Sequence, residues 1–587
     1  MFTPRKLIAA LLALTFVLVV GCTTKKNDTP TPDTPTTPST PAATDELPRK
    51  ETLYKGGFQW GPPANFNPIG QNSAWPTQAE MILYEPLFAY NIVKGAGDPI
   101  IGESFKWNAD NTMTIKLRKE PKWSDGKPLT ADDVVWTFEY SKKESINHTP
   151  FWTYVEKMEK VNDQEIKITL NPKNPNKGLV ERDIMFVRIM PKHIWQPLAD
   201  AGKKLSQELN MNPVGSGPYK LKSQNDQKII VERDDNYWGK GVFGTVGPKY
   251  IVHPILKSND AFNLALQNAE IDWSQTFAPQ IWKMWEDQKQ PVITWFDKAP
   301  YHMPASIPMA IINLNKPGLK DPLVRKAIAY SLDTAKVAEI AFTKYSIPAK
   351  AGLLIPEGLP ESPMFDQKDV DEFGWKYDPA KAVQILEGQL KAKKGADGIY
   401  VLPDGTRLGP WKLTAPFGWT DWNSALEILS QSAKAVGIDL KTDFPEQPVW
   451  NDARNTGNFD IIMDSPGGGY SPAHPWERFR AVMDSRNVPK IGEVAYWNYN
   501  RFTNAAVPGL LDKIAATADD KEKAAAFKEL NKIFMQNVPA IPLMYRPWEF
   551  YEANEKFWTG FPTAKNPTAP PQHNHAGRAI YFKLKAK

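Results

Sequence analysis

Polar and apolar residues alternate along Met113–Lys119 (MTIKLRK), a period of two that predicts a half-buried strand. In TADDVVWTFEYSKK the period changes. Val134, Val135 and Phe138 make one apolar stripe, Thr130 stands at an N-cap and Asp133 three positions on, an acid variant of the capping box, so this stretch predicts a helix. DPLVRKAIAYSLD repeats the design, with Asp321 as cap, Pro322 in the first turn and Val324, Ala327, Ile328 and Leu332 on one face. YDPAKAVQILEGQL reuses the Asp-Pro start at Asp378 and Pro379. A helix from about Asn423 should stop at Gly437, and GIDLKTDF should continue as a strand. KEKAAAFKELNKIFMQN predicts a helix ended by Pro539, with AIPLMY as the strand after it. Mixed elements in this order predict α/β domains.

The start of the chain follows a different rule. MFTPRK carries Arg5 and Lys6, the run Leu7–Val20 is apolar apart from Thr15, and Gly21 precedes Cys22. A basic head, an apolar segment and a small residue are the layout of a secretory signal, 1–21, and the run is shorter than the roughly 20 residues that span a bilayer as a helix. Residues 22–46, rich in Thr and Pro, cannot bury a core and predict a semi-extended tether, reaching some tens of ångströms at about 3.1 Å per residue.

Composition narrows the function. A chain of 587 residues exceeds one core. Its 71 basic and 66 acidic side chains are interspersed, giving a net charge of +5 with no basic block and no footprint for nucleic acid. Seven histidines without an H-E-x-x-H motif, and a single cysteine, supply no metal site and no disulfide framework. His573 and His575 sit in a Pro- and Gly-rich tail that predicts a solvated loop. VGSGPY (214–219) lacks the Lys-Ser/Thr pair of a phosphate loop, Asp132 and Asp133 suit a helix dipole better than catalysis, and no G-x-S-x-G elbow is present. The 21 tryptophans suit packing in cores or against organic ligands and sugars.

Seven phrases in order, MILYEPLFAY, ESFKWNADNTMTIKLRKEPKWSDGKPLTADDVVWTFEY, NPVGSGPYKL, RDDNYW, INLNKPGLKDPLVRKAIAYSLD, YDPAKAVQILE and AIPLMYRPW, together resemble the extracellular solute-binding proteins of ABC importers, family 5. This group takes oligopeptides, dipeptides, nickel complexes or oligosaccharides. VVGC also resembles the bacterial lipoprotein box, with Val19 where Leu is usual; this implies lipid on Cys22 and a tethered, extracytoplasmic body. Thr23 is not the Asp that resembles an inner-membrane retention signal.

The resemblance implies an α/β, periplasmic-binding-protein-like two-lobed fold, type II and large cluster C, with an extra inserted subdomain. The expected division is lobe one at 47–88, 215–305 and 546–587, the inserted subdomain at 89–214, and lobe two at 306–545. It implies a non-enzymatic, monomeric receptor without a cofactor, which delivers a small oligomeric solute to an ABC permease and its ATPase.

Ligand-contact candidates fall where aromatic and polar residues crowd turn-like sequence. They are Trp60, Asn65, Asn67 and Trp75 after the first strand; Phe417, Trp419, Asp421 and Trp422 in APFGWTDWN; and Asp464, Tyr470, Trp476 and Arg478 around three glycines. Peptide receptors of the family commonly place an acid in a G-W-x-A-D-like run to meet the peptide ammonium, whereas this chain has glycines there, with Asp464 earlier. That favours an oligosaccharide, whose rings pack on Trp and Tyr while Asp, Asn and Arg bond the hydroxyls, over an oligopeptide. A surface-anchored glycoside hydrolase using Asp464 and Glu477 is the alternative from another class.

Overall fold

The strand Thr52–Gly56 runs between Tyr250–Pro254 and Trp273–Ser274, parallel to both, with Leu53 opposite Ile251. It is buried on both faces apart from Tyr54, as a central parallel strand requires. The full sheet has seven strands in the order Val292–Thr294, Glu552–Asn554, Trp273–Ser274, Thr52–Gly56, Tyr250–Pro254, Lys228–Arg233 and Tyr219–Gln224, so it gathers segments from both ends of the described chain. A computed structural model describes residues 47–587 except 58, 60, 71, 72, 257 and 468–470, with backbone alone at 447 and 448. The signal segment, Cys22 and the tether lie outside the described residues.

A second sheet has the order Leu440–Asp443, Trp411–Thr414, Ile461–Asp464, Met309–Ile312 and Ala540–Pro542. Trp411–Thr414 is parallel to both its neighbours, while Met309–Ile312 is antiparallel to both of its own. The helix Thr420–Val436 makes the crossover between the two parallel strands and ends at Gly437, whose φ of 105° a side chain would strain. It starts before Asn423, because the Asn423 N–H already donates to the Trp419 carbonyl. A four-stranded antiparallel sheet, Gly102–Trp107, Thr112–Leu117, Glu165–Leu170 and Val155–Asn162, stands apart from both.

Local signals set the helices. In Ala131–Tyr140 the Thr130 side chain and the Asp133 carboxylate form a capping box, and Asp133 also accepts from the Lys192 N–H. Asp321 caps Pro322–Ser331, Asp378 caps Pro379–Val383, and Asp519 caps Asp520–Asn537. AIPLMY divides at Leu543: Ala540–Pro542 joins the second sheet, whereas Met544–Pro547 pairs with Pro304–Ser306 and Ile347–Pro348 in a separate three-stranded sheet.

The seven- and five-stranded sheets are thus joined by two neighbouring antiparallel segments, Pro304–Ile312 and Ala540–Pro547. The helix Lys177–Phe186 bridges the bodies, since Leu179 packs into the core around the second sheet while Val180, Ile184 and Met185 pack into the core of the other two. Gly215 and Gly217 of VGSGPY press on backbone; a Cβ there would stand 1.9 Å from the Leu83 carbonyl oxygen and 2.0 Å from that of Ile82. No described helix is long and apolar enough to cross a membrane.

The tail departs from the sequence reading. His573 is buried, its ring centre 4.6 Å from that of Trp273, with its backbone N–H donating to Glu549 and its Nε2 2.9 Å from the Phe550 carbonyl oxygen. His575 stacks 4.2 Å from Phe186. The Pro- and Gly-rich composition that suggests a solvated loop reflects an irregular stretch that packs inward, with His573 taking polar partners from Glu549 and Phe550, before a 3-10 helix at His575–Phe582.

Candidate ligand cleft

Beside the strand pair, a cavity of about 330 Å³ is lined from one side by Gln275–Phe277, directly after the strand Trp273–Ser274, and from the other by Gly418–Trp422. Arg546, Trp548 and Phe550, at the end of a crossing strand, close it. The loop between the strand Trp411–Thr414 and its helix is held open by Gly418, at φ 80°, and by bonds from the Phe417 N–H to the Pro445 carbonyl and from the Asn423 side chain to that of Pro416. It presents Phe417 and Trp419, 65% and 37% exposed, while Trp548 is 44% exposed. Rings of that size left open around a cavity are suited to stacking on a ligand.

Under this aromatic rim lies a polar floor. Asp421 accepts from the Tyr345 hydroxyl at 2.6 Å and from Arg546 at 3.3 Å. Burial pushes the Tyr345 hydroxyl well above its usual range and the Asp421 charge adds to this, so it stays a donor. Arg546 also lies 5.0 Å from the Phe550 ring centre. Trp419 meets Trp422 edge-on at 4.9 Å and Trp450 at 6.0 Å, so the exposed ring is braced from behind.

A larger cavity, about 710 Å³, takes Pro68 and Ile69 from the stretch after the first strand, Arg182, Asp183 and Arg188 from the bridging helix and the segment after it, and Arg480 and Trp497 from the second body. Arg182 donates to Glu477 at 2.8 Å and to Asp183 at 2.8 and 2.9 Å. Burial raises the Asp183 carboxyl to about 6 against the pull of Arg182. Burial alone would also raise Glu477, but His474 and Arg182 outweigh it and hold that carboxyl below its usual range.

Of the residues expected from sequence, Trp419, Asp421 and Trp422 come together in the smaller cavity, with Phe417 beside them. Others turn inward. Asn65 accepts from the Asn67 N–H and the Ser73 hydroxyl, and Asn67 donates to the carbonyls of Leu205 and Glu208, so both brace their loop. The Trp75 N–H takes the Gln59 side chain as acceptor at the start of a short helix. Trp476 is buried with its Nε1 donating to the Leu511 carbonyl, and Arg478 is buried against Glu361 at 2.8 Å and the Leu353 carbonyl. Asp464 is buried 3.4 Å from Arg454; burial raises its carboxyl and Arg454 opposes that. Trp60 and Tyr470 lie outside the described residues. The sequence reading missed Gln275, Arg546, Trp548 and Phe550, though RPW, directly after a predicted strand, was a usable signal. No group of three or more described His, Cys, Asp or Glu residues is placed to hold a metal ion.

Residues 98–479 match the family described as Bacterial extracellular solute-binding proteins, family 5 Middle. The chain belongs to this family. It is the substrate-binding protein of an ABC importer, and its relatives bind solutes outside the cytoplasm. A periplasmic oligopeptide-binding protein of an oligopeptide ABC transporter from Thermotoga maritima superposes with a TM-score of 0.85 at 31% identity, over 92% of this chain and 100% of that one. A structure of the Thermotoga maritima protein with mannohexaose bound superposes at 0.78 with 32% identity, over 92% and 99%. The probable peptide-binding protein YejA of Agrobacterium fabrum is 26% identical over 74% of both chains. The two-lobed α/β fold of the family accounts for the two large sheets and the strand pair between them.

Proposed function

We propose that this solute-binding protein captures an oligosaccharide between its lobes and delivers it to the permease of its importer. The observation that carries the reading is the pair of open rings Trp419 and Trp548 above the Asp421 floor, with exposed Phe417 in the same loop, in a chain 32% identical to a protein described with mannohexaose bound. Pyranose faces pack on such rings, and the acid and guanidinium beneath bond hydroxyls. The pairing of Asp464 with Arg454 supports the same choice, because a peptide ammonium would have to compete with a guanidinium for that carboxylate. The oligopeptide reading is favoured by the relatives named for peptides, YejA among them. Hydrolysis by Asp464 and Glu477 is disfavoured, since each carboxylate is paired with an arginine.

The division into lobe one (47–88, 215–305, 546–587), an inserted subdomain (89–214) and lobe two (306–545) belongs to this proposal, with closure about the strand pair. So does the anchor: lipid on Cys22, with 22–46 as tether. A thermal-shift series of manno-, cello-, xylo- and chito-oligosaccharides against di- to pentapeptides tests the ligand. Stabilisation by a sugar recovered unchanged is expected; stabilisation by peptides alone, or turnover of the sugar, defeats the reading. Cys22→Ser should release the protein from membranes, and continued retention would refute the anchor.

A further inference from the structure

Three guanidiniums line the larger cavity, and their partners differ sharply. Arg182 is occupied by Asp183 and Glu477. Arg480, on the helix Trp476–Met483 of the second body, has its guanidinium centre 4.1 Å from the Trp497 ring centre and 5.5 Å from that of Trp476, and makes no hydrogen bond among the described residues. Its nearest carboxylate, Asp484, stands 3.9 Å away and is already held by Arg486 through two bonds of 2.9 Å. Arg188, from the opposite side, donates to the carbonyls of Pro68 at 3.0 Å and Gln78 at 2.6 Å through two of its nitrogens and has no carboxylate partner among the described residues. Burial lowers its pKa to about 10.

A partly buried guanidinium with no close counter-charge has an unmet electrostatic cost, and an anion bound at the cavity would meet it. The remaining titratable groups at this cavity do not. Asp183 takes both Arg182 bonds at Oδ1 and keeps its Oδ2 buried without a hydrogen bond among the described residues, and His148 is neutral, its Nε2 3.1 Å from the Thr137 carbonyl oxygen and its pKa lowered by burial to about 4. Two incompletely used forks facing one cavity from two bodies are suited to a planar carboxylate.

We propose that the larger cavity is a subsite for a carboxylate-bearing sugar unit, a uronic acid within the oligosaccharide, held between Arg188 and Arg480. This rests on the saccharide reading above and narrows it to acidic chains.

The test is calorimetry on the mature protein with mannohexaose, a mannuronate hexamer, and a hexapeptide as free acid and as amide, at about 20 and 300 mM salt. Hydrogen bonds to charged groups predict that the acidic hexamer binds about 10- to 100-fold more tightly than the neutral one at low salt, with the ratio shrinking as salt rises. Arg480→Gln, which breaks no hydrogen bond, and Arg188→Gln should each bring that ratio toward one; melting temperatures without ligand report whether each variant folds. Arg480→Gln alone decides if Arg188→Gln does not fold. The subsite is refuted if the neutral hexamer binds as tightly as the acidic one, or if Arg480→Gln weakens both equally; the saccharide reading survives either result. Binding of the peptide acid over its amide, with neither sugar bound, overturns both.

Discussion

Trp419→Ala removes the exposed ring most firmly mounted at the smaller cavity. A tryptophan side chain of roughly 250 Å² that is 37% exposed leaves about 90 Å² for a ligand to cover. At about 25 cal/mol per Å² this is about 2 kcal/mol of binding, or roughly 30-fold in Kd. The substitution also removes the edge-on contact with Trp422 at 4.9 Å, so the unliganded protein should lose about 1 kcal/mol and melt slightly lower. Titration calorimetry well below the melting transition separates the two effects. Trp548→Ala provides the comparison, because that ring makes no ring-ring contact among the described residues and is 44% exposed; its loss should weaken binding without the stability cost. If both variants fold and bind within about twofold of the parent, the rim does not touch the ligand and the cleft assignment fails.

Glu361→Ala strands the buried Arg478 and should cost about 3–5 kcal/mol of stability by denaturant titration, while ligand affinity at low temperature changes little. Gly217→Ala drives a Cβ to 2.0 Å from the Ile82 carbonyl oxygen; expression of soluble protein should fall, and unchanged melting would contradict the close approach. Burial lowers His148 to about 4, and His302 and His575 to about 3. The unfolded chain therefore takes up protons first, near pH 6.5, so stability falls as pH drops below 6.5, by about 2 kcal/mol per histidine at pH 5. Burial pushes the Glu552 carboxyl well up, which opposes this by favouring the folded state at low pH. Histidine ring resonances followed by NMR in the folded protein isolate this effect from the carboxyls; rings of His148, His302 and His575 that titrate at about pH 6.5 would refute it.

The helices were legible because their signals are local: the Thr130 and Asp133 box, the Asp-Pro starts at 321 and 378, and the Gly437 stop all act within a turn. Phrases spaced along the chain carried the fold. The cleft was legible only where one stretch supplies several members, as APFGWTDWN does. Arg546 and Trp548 reach the same cavity through a crossing strand more than a hundred residues away, and no short-range pattern announces that. The same limit applies to Arg478, which looked available beside three glycines yet pairs with Glu361, and to His573, whose partners are at 549 and 550. Long-range burial decided these positions, and spacing carries no trace of it.

The most direct test of the account is titration of the mature protein with mannohexaose and with a pentapeptide, with the bound fraction recovered and weighed by mass spectrometry. Saturable binding of the sugar, recovered at unchanged mass, is the predicted result; binding of the peptide alone, or a cleaved sugar, would contradict it.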